Sequence, residues 1–264
     1  MLADVYPTLF KVFGFSVHSF SLMVMIAYLV GSTWISREAR WMRLDRTAVS
    51  RLCGYALLAV ILGGRLGYLL FERPDLFRSW EALKIWHGGL VLYGGLFAVL
   101  GVVIGFSVVH RWSVLQITDL VATGGMLGLA IGRWGCFLAG DDYGKPAYNL
   151  PWAVRFTDPD SLVPPELRGV PLHPTQIYLS VNAFLIFLVL WWLGQRGART
   201  GVRTAFGLML YALGRSFIEV FRGDADRGFV GPLSTAQFVS IFVFIGGATL
   251  AGWLWLRMKS PSPA

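Results

Sequence analysis

Seven stretches of the chain are apolar for long enough to cross a bilayer: residues 15–35, 49–71, 88–109, 114–138, 177–193, 204–221 and 233–256. A spanning helix needs about 20 mostly apolar residues. The second, fourth and sixth stretches carry embedded charges, and the fifth and sixth are short. Most connections are brief. The exception, about 139–175, is rich in Pro, Asp and Tyr and too long for a tight turn, so it is expected to fold over the membrane surface. The pattern therefore predicts an all-α integral membrane fold, with seven transmembrane helices and a small extracytoplasmic cap between helices 4 and 5. Residues 1–264 form a single polytopic domain, and the Ser-Pro-Ser-Pro-Ala end reads as a short disordered tail over 259–264.

Composition strengthens that reading. The chain is 55% hydrophobic and only 14% charged, against roughly 25% charged in an average soluble domain. Eleven Trp suit interfacial aromatic belts. A formal net charge of +8 raises the question of nucleic acid, but the basic residues are spread through loops and span ends, with no basic stripe or RNA-binding motif. Nucleic acid is excluded as a partner. The N-terminal run lacks a basic leader segment and a small-residue cleavage site, so it reads as a permanent anchor. Cys53 and Cys136 fall near opposite faces of the bilayer, which argues against a disulfide, and two isolated thiols do not make a metal site.

Charge asymmetry sets the orientation. With seven spans, one set of segments holds eleven Lys and Arg against two acids, and the other holds nine against eleven. The first set is expected in the cytoplasm, which puts the N-terminus outside and the C-terminus inside.

Charges at membrane depth cost about 2.5–3.5 kcal/mol each on insertion scales. Apart from Arg51 at the edge of the second, five fall within the spans: Arg65, Asp119, Arg133, Arg215 and Glu219. Internal pairing would account for all of them, yet the neighbours of Arg133 and Arg215 suggest more. Arg133 lies in Gly132-Arg133-Trp134-Gly135-Cys136-Phe137-Leu138-Ala139-Gly140-Asp141-Asp142-Tyr143-Gly144, where the fourth span meets the outer connection. At that depth a guanidinium can hold a phosphodiester with two parallel hydrogen bonds, and it stays charged when desolvated. Tyr211, Arg215, Glu219 and Arg222 recur at spacings of four, four and three, so they line one helical face. A polar stripe on an apolar helix must face protein or a watery cavity, and here Glu219 can orient both arginines as a clamp for an anion.

Two further constellations sit at the same outer level. Trp86-His87-Gly88-Gly89-Leu90-Val91-Leu92-Tyr93-Gly94-Gly95 opens the third span, with glycines that allow a helix or a lipid to lie close and a histidine suited to proton transfer. Leu172-His173-Pro174-Thr175-Gln176-Ile177-Tyr178 opens the fifth, and places His173, Gln176 and Tyr178 together; a capping and anchoring role serves them equally well. The convergence of all four near one face points to an interfacial site for an anionic substrate.

At these four segments the sequence resembles the prolipoprotein diacylglyceryl transferase family. That family carries a Gly-Arg-x-Gly-Asn-Phe-x-Asn-x-Glu run ending in Gly, a Gly-Gly-x-x-x-His-Gly-Gly element, a His-Pro-[Ser/Thr]-Gln-x-Tyr element and a Tyr-x-x-x-Arg-x-x-x-Glu-x-x-Arg helix. The resemblance aligns Arg133 and Arg215 with the family's essential arginines. Gly132, Gly135, Phe137 and Gly144 fit the signature, and Tyr211, Glu219, Arg222, His173, Pro174, Gln176 and Tyr178 match as well. Cys136 replaces the signature's first Asn, Asp141 its Glu, Tyr93 the His before Gly94-Gly95, and Phe20 an aromatic of the first helix that is often Tyr.

The resemblance implies transfer of the diacylglyceryl group of phosphatidylglycerol to the cysteine thiol of a prolipoprotein lipobox, in the bacterial cytoplasmic (inner) membrane, near the outer leaflet. Arg133, Arg215, Tyr93 and His87 are the catalytic candidates. Phe20, Gly94, Gly95, Gly132, Gly135, Cys136, Asp141, Gly144, His173, Gln176, Tyr178, Tyr211, Glu219 and Arg222 would line the substrates. The expected partners are phosphatidylglycerol, other membrane lipid and the prolipoprotein signal peptide, taken by a monomer. No cofactor or metal is implied. The proton acceptor stays open between Tyr93, His87 and His173, or no side chain at all. A non-catalytic lipid-binding relative and an anion or lipid transporter are the rival classes. Against transport, the polar residues cluster toward one face.

Overall fold

The computed structural model describes residues 2–3, 6–12, 15–85, 88–224 and 227–259. Among them are seven α-helices: α1 (Ser19–Trp41), α2 (Arg46–Phe71), α3 (Leu92–Val109), α4 (Val114–Ala139), α5 (Thr175–Gln195), α6 (Val202–Glu219) and α7 (Thr235–Lys259). Five, α1, α2, α4, α5 and α7, are long and apolar enough to cross a membrane. α3 is an apolar helix of 18 residues. α6 falls outside that group and carries Arg203, Arg215 and Glu219 within its 18 residues. Exposed Leu, Val, Ile, Phe and Trp cover the helices, as lipid rather than water demands. The protein is an integral membrane protein.

The chain forms two compact units, one of Met1–Gly31 with Val121–Ala264 and one of Ser32–Leu120; α1 and α4 each contribute to both. In the first unit α6 packs between α5 and α7. Its part of α1 meets α4 through small residues: a Cβ on Gly31 would sit 3.0 Å from the Gly124 carbonyl oxygen, and one on Gly128 3.1 Å from that of Ala27. Backbones this close gain dispersion contacts that lipid tails cannot match.

The first apolar run does not begin as helix. Phe15–His18 is strand β3, paired antiparallel with β2 (Thr8–Val12), and the helix starts at Ser19, whose N–H donates to the Pro7 carbonyl at 3.0 Å. Phe15-Ser16-Val17-His18 alternates apolar with polar residues, a period of two that suits a strand. The helix gains length at its other end, running to Trp41 past Arg37 and Arg40. Long basic side chains at a span end can reach the interface.

The 140–174 connection has its own small core. Val154, Phe156, Val163 and Leu172 are buried together, with Phe137, Tyr143, Leu167 and Val170 against them. Bridges join Leu172 to Pro146 and Val154, and β4 (Arg155–Phe156) runs parallel to β1 (Leu2–Ala3). A connection this long needs such a cluster to stay ordered. A short hairpin of β5 (Phe229–Val230) and β6 (Leu233–Ser234) leads into α7.

In the second unit α2 and α3 lie backbone to backbone. A Cβ on Gly94 would fall 2.3 Å from the Gly63 carbonyl oxygen, and one on Gly95 3.0 Å from that of Val60. Arg65, only 6% exposed, organises the segment before α3. It donates to the carbonyls of Glu81 at 2.6 Å, Ala82 at 3.0 Å, Gly88 at 2.6 Å and Gly89 at 3.3 Å.

Candidate active site

The site in the first unit begins where α4 ends. Gly140 adopts φ +74°, the left-handed turn that closes many helices, and Asp142 follows at φ +54°, a conformation Asp tolerates better than most residues. Within the turn the Asp142 N–H donates to Asp141 Oδ1 at 2.9 Å. Asp142 accepts from Arg133 of α4 and from Arg222, just past the end of α6. The start of α5 locks this turn from behind: the Thr175 hydroxyl donates to the Asp142 carbonyl and the Gln176 amide to the Asp141 carbonyl, each at 2.6 Å. Both side chains are fully buried.

The polar face of α6 supplies the rest. Arg215 pairs with Glu219 one turn on, as the four-residue spacing requires. Glu219 is 2% exposed, and Arg222 Nε and Arg227 Nη1 lie 4.0 and 3.7 Å from its oxygens. Arg222 is also bound by Asp224, with Nε to Oδ1 at 2.8 Å. Among the described residues, four guanidiniums thus meet the carboxylates of Asp142, Glu219 and Asp224. Arg133 Nε is buried with no hydrogen-bond partner among the described residues. Arg215 acts electrostatically on Asp142, and Tyr211 lies close to Arg133.

The two acids titrate in opposite directions. Burial pushes Asp142 up, but the Arg133 and Arg222 charges outweigh it and hold its carboxyl below the usual range. Burial raises Asp141, and the neighbouring Asp142 charge adds to that. Cys136 Sγ, Asp141 and Asp142 present donor atoms within 4.8 Å of one another. Both Asp142 oxygens already face guanidiniums, so the surrounding charge opposes a cation there.

Gly144 is where three backbones meet. It bridges Arg222, the Lys145 N–H donates to the Phe221 carbonyl at 2.8 Å, and the His173 N–H to the Lys145 carbonyl at 3.0 Å. A Cβ on Gly144 would lie 2.3 Å from the His173 carbonyl oxygen, and one on Gly223 2.6 Å from that of Gly144. Beside this junction His173 Nδ1 is 3.3 Å from the Tyr178 hydroxyl, which also accepts from Trp152 Nε1 at 2.9 Å. The His173 and Tyr178 rings both pack on Phe221. Burial, with the Lys145 charge behind it, lowers the His173 pKa and favours the neutral ring.

Residues 7–253 match the family model described as Prolipoprotein diacylglyceryl transferase. Phosphatidylglycerol--prolipoprotein diacylglyceryl transferase of Clostridium tetani is 32% identical over 91% of this chain and 94% of its own length. The enzymes of that name from Rhodospirillum centenum and Thermotoga maritima are 34% and 33% identical, over 92% and 94% of this chain and 87% and 84% of their own. The chain belongs to the prolipoprotein diacylglyceryl transferase family.

For a member of the prolipoprotein diacylglyceryl transferase family, the structure sorts the expected site residues into three groups. Arg133, Cys136, Asp141, Gly144, His173, Gln176, Tyr178, Tyr211, Arg215, Glu219 and Arg222 belong to the network just described. Cys136 Sγ is 3.9 Å from Arg133 Nη1. Gly135 serves packing, since its Cβ would meet Met23 and Phe20 of α1 at 3.1–3.3 Å, whereas Gly132 has only an ordinary contact with Ala27. Phe20 lines a cavity of about 550 Å³ that also reaches Asp141. Tyr93, Gly94 and Gly95 lie in the second unit; Tyr93 is 45% exposed at the start of α3, and the two glycines are spent on the contact with α2. Trp86 and His87 lie outside the described residues.

Sequence reasoning passed over Asp142, Thr175, Asp224 and Arg227. Asp142 had a signal, as half of an acidic pair directly after a helix-ending glycine. Thr175 had one in its place at the first turn of a span. Nothing local marks Asp224 or Arg227 as partners of the α6 stripe.

Proposed function

We propose that this protein transfers the diacylglyceryl group of phosphatidylglycerol to the lipobox cysteine of prolipoproteins. The sulfur attacks the glycerol carbon that bears the phosphate. A C–S bond forms, the C–O bond breaks, and the bonding pair leaves with oxygen as glycerol-1-phosphate. The thiol proton goes to an acceptor on the protein or to the departing phosphate. A thiol is a weak nucleophile near its ordinary pKa of about 8.5, so the thiolate must be reached.

The observation that carries this reading is the gathering of Arg133, Arg215, Arg222 and Arg227 around a few carboxylates, with Arg133 Nε buried and unpartnered among the described residues. A phosphodiester brings one negative charge, and its leaving group brings a second as the C–O bond opens. Fixed guanidiniums that await that growing charge lower the barrier without reorganising. Arg133, with Nε unspent, receives the phosphate, while Arg215 and Arg222 steady the developing dianion. Neutral His173 and exposed Tyr93 are the described candidates for proton acceptor. Unchanged turnover in Tyr93→Phe eliminates Tyr93, and unchanged turnover in His173→Asn eliminates His173.

The same reading takes all seven helices across the cytoplasmic membrane, as a monomer, with the N-terminus outside and the 139–175 segment as an extracytoplasmic cap. The distribution of Lys and Arg supports it. In cells, a cysteine placed at Asp158 should react with an impermeant maleimide, and one placed at Arg199 should not; the reverse pattern would overturn the orientation. For the activity, purified protein in phosphatidylglycerol micelles should lipidate a lipobox peptide, and Arg133→Ala and Arg215→Ala should abolish transfer. No transfer by well-folded protein would instead favour a relative that binds phospholipid without catalysis.

A further inference from the structure

The cavity beside Asp141 is not used by anything described so far. It measures about 550 Å³, within the range of pockets that hold small ligands. Its walls come from three parts of the first unit. His18 closes the N-terminal hairpin, Phe20 and Ser21 begin α1, and Asp141, Asp160 and Leu162 come from the 140–174 segment. The lining is mainly apolar, and among the described residues its charged side chains are both acidic, Asp141 and Asp160, with His18 the other titratable group facing the space. No ion pair among the described residues involves Asp160. Arg168, on the same segment, directs its guanidinium to the Val163 and Ser161 carbonyls at 3.2 and 3.4 Å.

The cavity and the arginine centre share one stretch of backbone. Asp142 delivers its carboxylate to Arg133 and Arg222, and Asp141, one residue before it, lines the cavity. The protein therefore offers an arginine-lined and an acidic compartment side by side. A phospholipid phosphate suits the first and is repelled by the second. The other reactant of the proposed transfer is a polypeptide whose cysteine must come to the arginine centre while the chain beyond it needs room. We infer that this cavity receives the residues that follow the acceptor cysteine, and that Asp160 sets their charge preference, favouring basic over acidic side chains. The inference rests on the transferase reading and adds to it a specificity-determining residue.

The test uses two lipobox peptides that differ only in Lys or Glu two residues after the cysteine, offered to the full-length protein in phosphatidylglycerol micelles. Wild type should prefer the Lys peptide by about fivefold in kcat/KM, the scale of one partly solvated charge pair. Asp160→Asn should bring the ratio toward one, and Asp160→Lys should invert it. Because each ratio is taken on a single preparation, loss of folded protein cancels. The preference should also shrink in high salt. A wild-type ratio near one, or a ratio untouched by Asp160→Lys, overturns the inference and leaves the transferase reading standing. No transfer to either peptide by wild type removes both.

Discussion

Arg65 and Arg133 are two arginines of the membrane-embedded helices, and the structure treats them oppositely. Arg65 gives four hydrogen bonds to the carbonyls of residues 81–89 and stacks 5.2 Å from the Tyr68 ring. Arg133 shares one carboxylate with a second arginine and keeps a buried Nε unpartnered. A guanidinium whose every nitrogen finds a carbonyl holds a backbone in place. One that is left short is prepared for a ligand. Burial alone does not separate the two roles, whereas hydrogen-bond accounting does.

The sharpest test of that contrast is Arg133→Lys, which keeps the charge and loses the fork. Transfer to a lipobox peptide should fall by about a thousandfold, with thermal stability little changed. Arg65→Met should do the reverse. Leaving several part-buried carbonyls without a donor costs about 1–3 kcal/mol, read as a lower unfolding midpoint, while the remaining folded protein keeps its kcat. If Arg65→Met instead lost activity at full stability, the division would fail.

Asp142→Asn should have an intermediate effect, on the order of 10-fold to 100-fold in kcat/KM, because two arginines lose the group that sets their spacing. It also has a pH signature. The folded pKa of Asp142 lies below its unfolded value, so its contribution to stability is present above about pH 4 and is lost as pH falls through the folded value. Asp142→Asn should therefore flatten the acid limb of stability against pH. Asp141, raised by burial, works the other way: its contribution is full at low pH and lost as pH rises through the folded value. The smallest expected effect is that of Asp141→Asn, a slight rise in the thermal unfolding midpoint at neutral pH, small because the side chain is exposed and solvent screens the repulsion.

Much of this contrast could be read before the fold was known, and the reasons for the gaps are physical. Each of the seven apolar runs gave a helix, and five of these helices are long and apolar enough to cross a membrane, because apolar segments of that length have few other ways to satisfy their backbone in lipid. The four-residue spacing of Arg215 and Glu219 translated directly into an ion pair. Three things stayed hidden. The partners of Arg65 are carbonyls, which every residue owns and no sequence pattern advertises. Gly94 and Gly95 read equally well as an approach for ligand or for helix, and the helix took them. Which acid of Asp141-Asp142 would face the arginines depended on a single backbone angle, the positive φ of Asp142.

The small core under Leu172 and Phe156 has a consequence for how such a protein can change over generations. Because Val154, Phe156, Val163 and Leu172 are fixed among themselves, the Asp158–Asp160 turn is a rim hung on a rigid frame. Its Asx turn, with the Asp160 N–H on Asp158 Oδ1 at 2.7 Å, closes locally and asks nothing of the arginines. The rim is thus free to drift as the set of client peptides shifts, while Gly144 and its three crossing backbones tolerate almost no substitution. Adaptability and constancy are assigned to residues sixteen positions apart on one loop.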